Sequence, residues 1–180
     1  PEMRHYRILS ALLLYPEPEL VAALSELEAG LSADLSLRAR LAPLLVHLAE
    51  NDMITLQQTY VQTFDRTPTH SLHLFEHIHG ESRDRGQAMV DLMEEYKKHG
   101  LEMQGDELPD FVPLFLEFLS QLDDEEAGRL LGDAVVQYCE RGMAPFPLSP
   151  GKKTPATPHG CHDARADCVH ALNLCLASVE

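Results

Sequence analysis

The sequence predicts an all-α protein, and three observations carry that prediction. Apolar residues, mostly leucine, recur at i, i+3, i+4 and i+7 through residues 1–140, the spacing of one helix face. Prolines and glycines interrupt those stripes at helix-length intervals. No stretch sustains the alternation of apolar and polar residues that a half-buried strand needs, and nothing repeats internally.

The elements follow in order. Ile8, Leu9, Leu12 and Leu13 share the buried face of a first helix. Tyr15-Pro16-Glu17-Pro18 stops it, because proline lacks an amide donor and restricts the residue before it. Leu20, Leu24, Leu27 and Leu31 make a second stripe, and Leu37, Leu41, Leu44, Leu45 and Leu48 a third, with Pro43 read as a kink or turn. Asp52 caps a helix whose inner face carries Met53, Leu56, Tyr60 and Phe64, ended by Thr67-Pro68-Thr69. Asp84 caps a segment with Ala88, Leu92 and Tyr96 at helical spacing, terminated at Gly100. Pro109 opens a helix with Val112, Phe115, Leu116 and Leu119 inward, Pro113 being tolerated in its first turn. A last helix runs from Leu122 to Tyr138 behind Asp123 or Asp124.

At 180 residues, the chain fits one domain with a real core. Its formal charge of -15, from 29 acidic residues against 14 Lys and Arg, repels phosphate and so argues against nucleic acid and anionic lipid. A basic peptide is the partner it favours. No apolar run reaches the roughly 18 residues that span a bilayer. Arg4 and Arg7 before Ile8–Leu14 superficially resemble a short signal peptide. The run is brief and no small-residue cleavage site follows it, so the expectation is an amphipathic helix in a cytoplasmic protein.

The character changes after Glu140. Pro145, Pro147, Pro150, Pro155 and Pro158 exclude a regular helix, so residues 145–160 are expected to be irregular and poorly ordered. Residues 164–179 suit a short helix with a weak apolar face. Cys139, Cys161, Cys168 and Cys175 are the four cysteines, the last three at seven-residue intervals. Zinc binding with His162 and His170 is the sharper reading, but ordinary zinc sites pair ligands more closely. Incidental reduced thiols are the expectation.

Chemistry centres on residues 70–85. His70, His73, His77 and His79 cluster beside Glu76 and Glu81, and His73 and His77 at i, i+4 would face one way on a helix. That arrangement suggests a metal-dependent enzyme as the alternative, yet the order H-E-x-x-H is absent, and histidines that cap, bond in a packed loop or face solvent are the preferred account. Arg83, Asp84 and Arg85 read either as a solvated helix start or as a fork that holds a carboxylate and locks two helices. Gly80 and Gly86 form no phosphate loop, and Gly86 reads as a site of close helix packing.

Between His99 and Gly128 there is no Lys or Arg, while Glu102, Asp106, Glu107, Asp110, Glu117 and Asp123-Asp124-Glu125-Glu126 supply carboxylates. Solvation and first-turn placement explain these; so does an acidic rim beside an apolar groove built with Phe111, Phe115 or Phe118, fit for a basic amphipathic helix.

Two segments carry a resemblance. Residues 74–92, beginning Leu74-Phe75-Glu76-His77-Ile78-His79-Gly80-Glu81-Ser82-Arg83-Asp84-Arg85, and residues 108–119, beginning Leu108-Pro109-Asp110-Phe111, resemble the NarJ-type chaperones of the TorD/DmsD/NarJ family. The likeness extends more weakly over Tyr6–Pro16 and Tyr60–Arg66 to about Tyr138. It implies a single helical bundle of that type over residues 1–140, with no catalytic residue, no metal and no cofactor of its own.

The implied partner is the N-terminal segment of a nitrate reductase alpha subunit, held until the molybdenum-bis(guanine dinucleotide) cofactor is inserted and membrane assembly follows. Contact with the cofactor delivery machinery is a further implied partnership. Carried onto this chain, Tyr60 and Phe64, His77 and Arg83, and Asp110, Phe111, Phe115 and Glu117 frame the peptide groove. Asp110 and Glu117 are then its electrostatic contacts, and Pro109 fixes the entry to its helix. Family members can hold histidine where this chain has Phe111, so an ionisable role is lost there.

The resemblance stops near Glu140, where relatives continue in helical sequence. A reading-frame change or a lineage-specific tail explains residues 141–180, the former being preferred. Either leaves an apolar patch that invites a homodimer.

Overall fold

The structure is a computed structural model, and it describes residues 2–80 and 82–140. The expectations placed on residues 141–180 lie outside the described residues. The chain divides into two compact units, residues 1–124 and 125–180.

The first unit is an all-α bundle. It comprises α1 (Glu2–Leu12), α2 (Pro18–Gly30), α3 (Leu35–Glu50), α4 (Met53–Tyr60), α5 (Leu74–His79), α6 (Asp84–Lys98) and α7 (Val112–Leu119). Among the described residues the sole extended pairing is an isolated antiparallel bridge between His73 and Phe111.

Local chemistry sets the helix ends. Asp34 accepts from the Leu37 amide at 2.9 Å and Asp52 from the Thr55 amide at 3.1 Å, each satisfying a donor that the first turn leaves orphaned. The Thr55 hydroxyl also donates to Asp52, and these bonds hold the Asp52 carboxyl below its usual range. Pro18 occupies the first turn of α2 and Pro113 that of α7, where no amide donor is missed. Pro109, expected to open this last helix, instead lies in the preceding turn. Pro43 lies inside α3 rather than ending it, on an exposed face where the freed carbonyl meets water. At the end of α6 the Gly100 and Leu101 amides donate to the carbonyls of Lys97 and Tyr96, a Schellman cap that requires the positive φ of 76° found at Gly100.

Beyond Tyr60, α4 widens into a π-helical turn (Val61–Asp65), closed by the Arg66 amide on the Val61 carbonyl at 3.0 Å. A short 3-10 turn (Pro68–His70) follows.

The leucine stripes meet as their spacing requires. Ile8 and Leu12 of α1 pack with Leu31, Leu45, Leu48 and Leu56 in one buried cluster, flanked by the half-buried Leu20, Leu24, Leu27, Leu37, Leu41 and Leu44. α1 also lies along α7, and the buried Ser10 hydroxyl donates to the Pro113 carbonyl at 2.7 Å. Phe75, Ile78, Tyr96, Phe115, Leu116, Phe118 and Leu119 are buried around α5, α6 and α7.

The close-packed glycine is Gly30, where a Cβ would stand 2.8 Å from Ile8 Cδ1. Gly86, expected in that role, faces open space: a Cβ there would meet nothing within 4 Å.

α8 (Asp124–Glu140) is described by itself. Its acidic start suits the positive end of the helix dipole, and Arg129 binds Glu126 at 2.7 Å and Asp133 at 2.9 Å along one exposed face. No helix among the described residues is long and apolar enough to cross a membrane.

Leu119 is fully buried and Leu35 is 72% exposed. Leu119→Ala is therefore expected to cost about 3 kcal/mol in urea unfolding, against less than about 0.5 kcal/mol for Leu35→Ala.

Candidate functional site

Residues 71–79 and 108–113 are sewn together at the level of the backbone. The Leu74 amide donates to the Asp110 carbonyl at 2.9 Å, and the Val112 amide to the Leu72 carbonyl at 2.8 Å. The His73 and Phe111 rings lie 5.5 Å apart beside this bridge. Asp110 sits at the centre, fully buried. Its Oδ2 accepts from the Phe75 amide at 2.9 Å, so it caps α5 from 35 positions along the chain. Arg85, in the first turn of α6, places Nη2 3.8 Å from the same oxygen. Asp110 Oδ1 and Arg85 Nε are buried without a hydrogen-bond partner among the described residues.

Supporting contacts hold this junction. The Tyr96 hydroxyl donates to the Pro109 carbonyl at 2.7 Å. Ser71 donates to Glu76 at 2.6 Å, and its carbonyl lies 2.8 Å from His77 Nε2. A carbonyl only accepts, so that ring nitrogen carries the proton. Burial first, and the Asp110 charge second, push the Tyr96 phenol far above its usual range.

A second setting surrounds the end of α4. Tyr15, Tyr60 and Phe64 pack in series, the first pair edge-on and the second tilted, with ring centroids 5.4 and 4.9 Å apart, and the Tyr60 hydroxyl donates to the Leu13 carbonyl at 3.0 Å. Burial, then the charges of Asp65 and Glu107, push the Tyr60 phenol up to about 12. A cavity of about 480 Å³ opens beside it, lined by Tyr15, Ile54, Gln57, Gln58, Val61, Gln62 and Arg66. The third setting is the solvent side of α7, where exposed Glu117 lines a cavity of about 260 Å³ with Tyr96, Leu101, Glu102, Met103, Gln104, Leu114, Phe118 and Gln121.

The residues expected to frame one groove thus fall in these separate settings. Tyr60 and Phe64 stand together; Asp110, Phe111 and His77 belong to the junction. Phe115 is buried behind α7, 6.4 Å from Phe118 by ring centroids, and Arg83 is exposed at the start of α6. Full burial spends the Asp110 carboxylate inside the fold, which leaves Glu117 as the accessible member of the expected electrostatic pair. Of the two arginines read as a possible fork, Arg85 is the one that reaches a carboxylate.

The histidines do not converge. His73 precedes α5 instead of sharing its face with His77, and His79 meets the Phe75 ring. Among the described residues, no three of His70, His73, Glu76, His77 and His79 bring ligand atoms within 4.8 Å of one another. The enzyme reading therefore has no assembled centre there.

Sequence reasoning placed Tyr96 on the stripe of its helix without its hydroxyl bond, missed Ser71, and took Asp110 for a surface group. One signal pointed inward: Asp110 is a lone acid between Leu108-Pro109 and Phe111-Val112-Pro113-Leu114.

The all-α fold is shared with a solved structure: the crystal structure of an Archaeoglobus fulgidus protein described as a candidate redox enzyme maturation protein matches with a TM-score of 0.56 and 22% identity, over 79% of this chain and 83% of that one. At that identity the likeness speaks for the fold alone. The profile of the nitrate reductase delta subunit family matches residues 27–141, and the chain belongs to that family.

The nitrate reductase molybdenum cofactor assembly chaperone NarJ of Escherichia coli K12 is 45% identical over 130 residues, 70% of this chain and 55% of its own length. A Bacillus subtilis protein carrying the NarJ name is 31% identical over 124 residues, 68% of this chain and 67% of its own. The chain spans about half the length of the Escherichia coli relative.

Asp110→Ala strips the Phe75 amide and the Arg85 guanidinium of a buried partner and is expected to cost about 3–5 kcal/mol in denaturant unfolding. Asp110→Asn keeps an acceptor for Phe75 and should cost less. A pH series tests the phenols. Unfolded tyrosine ionises near pH 10, about two units below Tyr60 in the fold, so stability is full below pH 10 and falls as pH rises toward 12. Tyr60→Phe should flatten that fall in the unfolding midpoint.

Proposed function

We propose that this chain is an assembly chaperone that captures the N-terminal segment of the respiratory nitrate reductase alpha subunit. It holds that subunit until its molybdenum cofactor is inserted and membrane attachment follows. The observation that carries the reading is the 45% identity over 130 residues to the Escherichia coli assembly chaperone. The cation-free, acid-rich stretch from 99 to 128 supports it, because such a surface selects a basic segment.

On this reading, capture is reversible and non-covalent. Apolar side chains of the peptide bury against the Tyr15, Tyr60 and Phe64 series and the apolar lining beside α7, while Asp106, Glu107 and Glu117 draw in its basic residues. Holding the segment keeps the client from premature association with its membrane partner. Loading precedes membrane attachment, so the chaperone works in the cytoplasm, beside the machinery that delivers the cofactor. The buried Asp110 junction acts as the frame that positions both surfaces, without touching the peptide.

Calorimetric titration with a peptide of about 20 residues from the alpha-subunit N-terminus, beside a scrambled control, tests the proposal. Saturable binding of the true order alone is expected; equal binding of both, or of neither, overturns it. Asp106→Asn with Glu107→Gln should weaken that binding about three- to tenfold at low ionic strength and far less in about 0.5 M salt, since exposed charges are screened.

A further inference from the structure

Three cavities of the first unit differ in charge. One of about 590 Å³ between α2 and α3 has at its rim Arg38 and Glu28, which neutralise each other at 2.6 Å. The 480 Å³ cavity beside Tyr15 is lined by a cation, Arg66. The cavity beside α7 is lined by two carboxylates, Glu102 and Glu117, and no cation pairs with either among the described residues. At about 260 Å³ it lies below the roughly 300–1,000 Å³ of small-molecule sites, so it suits a single long side chain better than a cofactor or a helix.

We infer that this cavity is the seat of one arginine side chain of the captured peptide. The inference rests on the peptide-capture reading and adds to it the residue type and the place where it lands. Leu101, Met103 and Leu114 offer apolar lining for the aliphatic stem. Tyr96 and Phe118, their centroids 4.7 Å apart, give the lining an aromatic part that favours a cation. Glu102 and Glu117, with the side-chain carbonyls of Gln104 and Gln121, supply acceptors for the five donors of a guanidinium. An ammonium has three donors and a stronger hydration shell, so it uses this set less well. The Schellman cap at Gly100 fixes the direction in which the 101–104 segment leaves α6, and so holds Glu102 on its side of the cavity.

The test uses the full chain and the arginine unit alone. N-acetyl-arginine amide is titrated into the isotopically labelled protein and followed by NMR, with the isosteric but neutral N-acetyl-citrulline amide as control. The expected result is saturable shifts at residues 101–104 and 114–121 with a Kd on the order of millimolar, absent with citrulline. Glu102→Gln with Glu117→Gln should weaken binding at least about tenfold while the far-ultraviolet spectrum stays unchanged, because both side chains are exposed.

Equal shifts from citrulline, equal affinity in the double variant, or no shifts in these residues overturns the seat. The alpha-subunit peptide is titrated in parallel. If it binds wild type and the double variant alike, the seat alone falls; if it fails on the wild type, the capture reading falls with it.

Discussion

One buried carboxylate determines where the two distinctive segments of this chain lie. Asp110 caps the start of α5 with a bond to the Phe75 amide, pairs with Arg85 at the start of α6, and hands its own carbonyl to Leu74. Three helices therefore take their relative positions from a residue that belongs to none of them. A carboxylate out of water is tolerated only where its partners are fixed, so the cost of burying it demands the rest of the junction: the Leu72–Val112 bond, the Tyr96 bond to Pro109, and the π contact of His73 with Phe111. The two free valences, Asp110 Oδ1 and Arg85 Nε, show a pair that is close without being bidentate. The apolar packing of α1 to α4 is separate in kind. It rests on volume and on leucine spacing, and it meets the junction where Ser10 binds Pro113.

That difference in kind explains what could be read from the sequence. The helices were legible because periodicity is local: Leu20, Leu24, Leu27 and Leu31 declare a face without reference to anything distant. Asp52 and Gly100 were legible for the same reason, since a cap and a terminator act within one turn. Asp110 was not, because its partner Phe75 stands 35 positions away and composition places a carboxylate outside by default. Pro109 and Pro113 both fit a helix start; Pro113 takes it, while the Pro109 carbonyl is bonded by the Tyr96 hydroxyl, a contact that no local rule contains. Gly30 and Gly86 were likewise indistinguishable by neighbourhood; contact with Ile8 decides which of them must stay small.

The candidate site was half legible. The cation-free stretch is visible in composition, and its resemblance to a family of chaperones named the kind of partner to expect. What composition could not do was sort its carboxylates. Asp110 went to the frame, Glu107 to the surroundings of Tyr60, and Glu102 and Glu117 to a shared cavity. Sorting required knowing which side of α7 faces the core, and in an eight-residue helix that is fully apolar apart from Glu117 the sequence offers few polar residues to mark the outer side.

The segment from 101 to 108 is anchored at its two ends. The Gly100 cap fixes its departure, and the Tyr96 bond to Pro109 fixes its return, so both anchors hang on a single turn of α6. Leu101 and Met103 are half-buried, while Glu102 and residues 104–108, Asp106 and Glu107 among them, are exposed and contribute little to the core. Such a segment can exchange residues, or change length, while its endpoints hold the bundle unchanged. Evolution is thereby given a region in which client preference can drift from one enzyme to another without a penalty in folding, and paralogues serving different reductases should diverge there first.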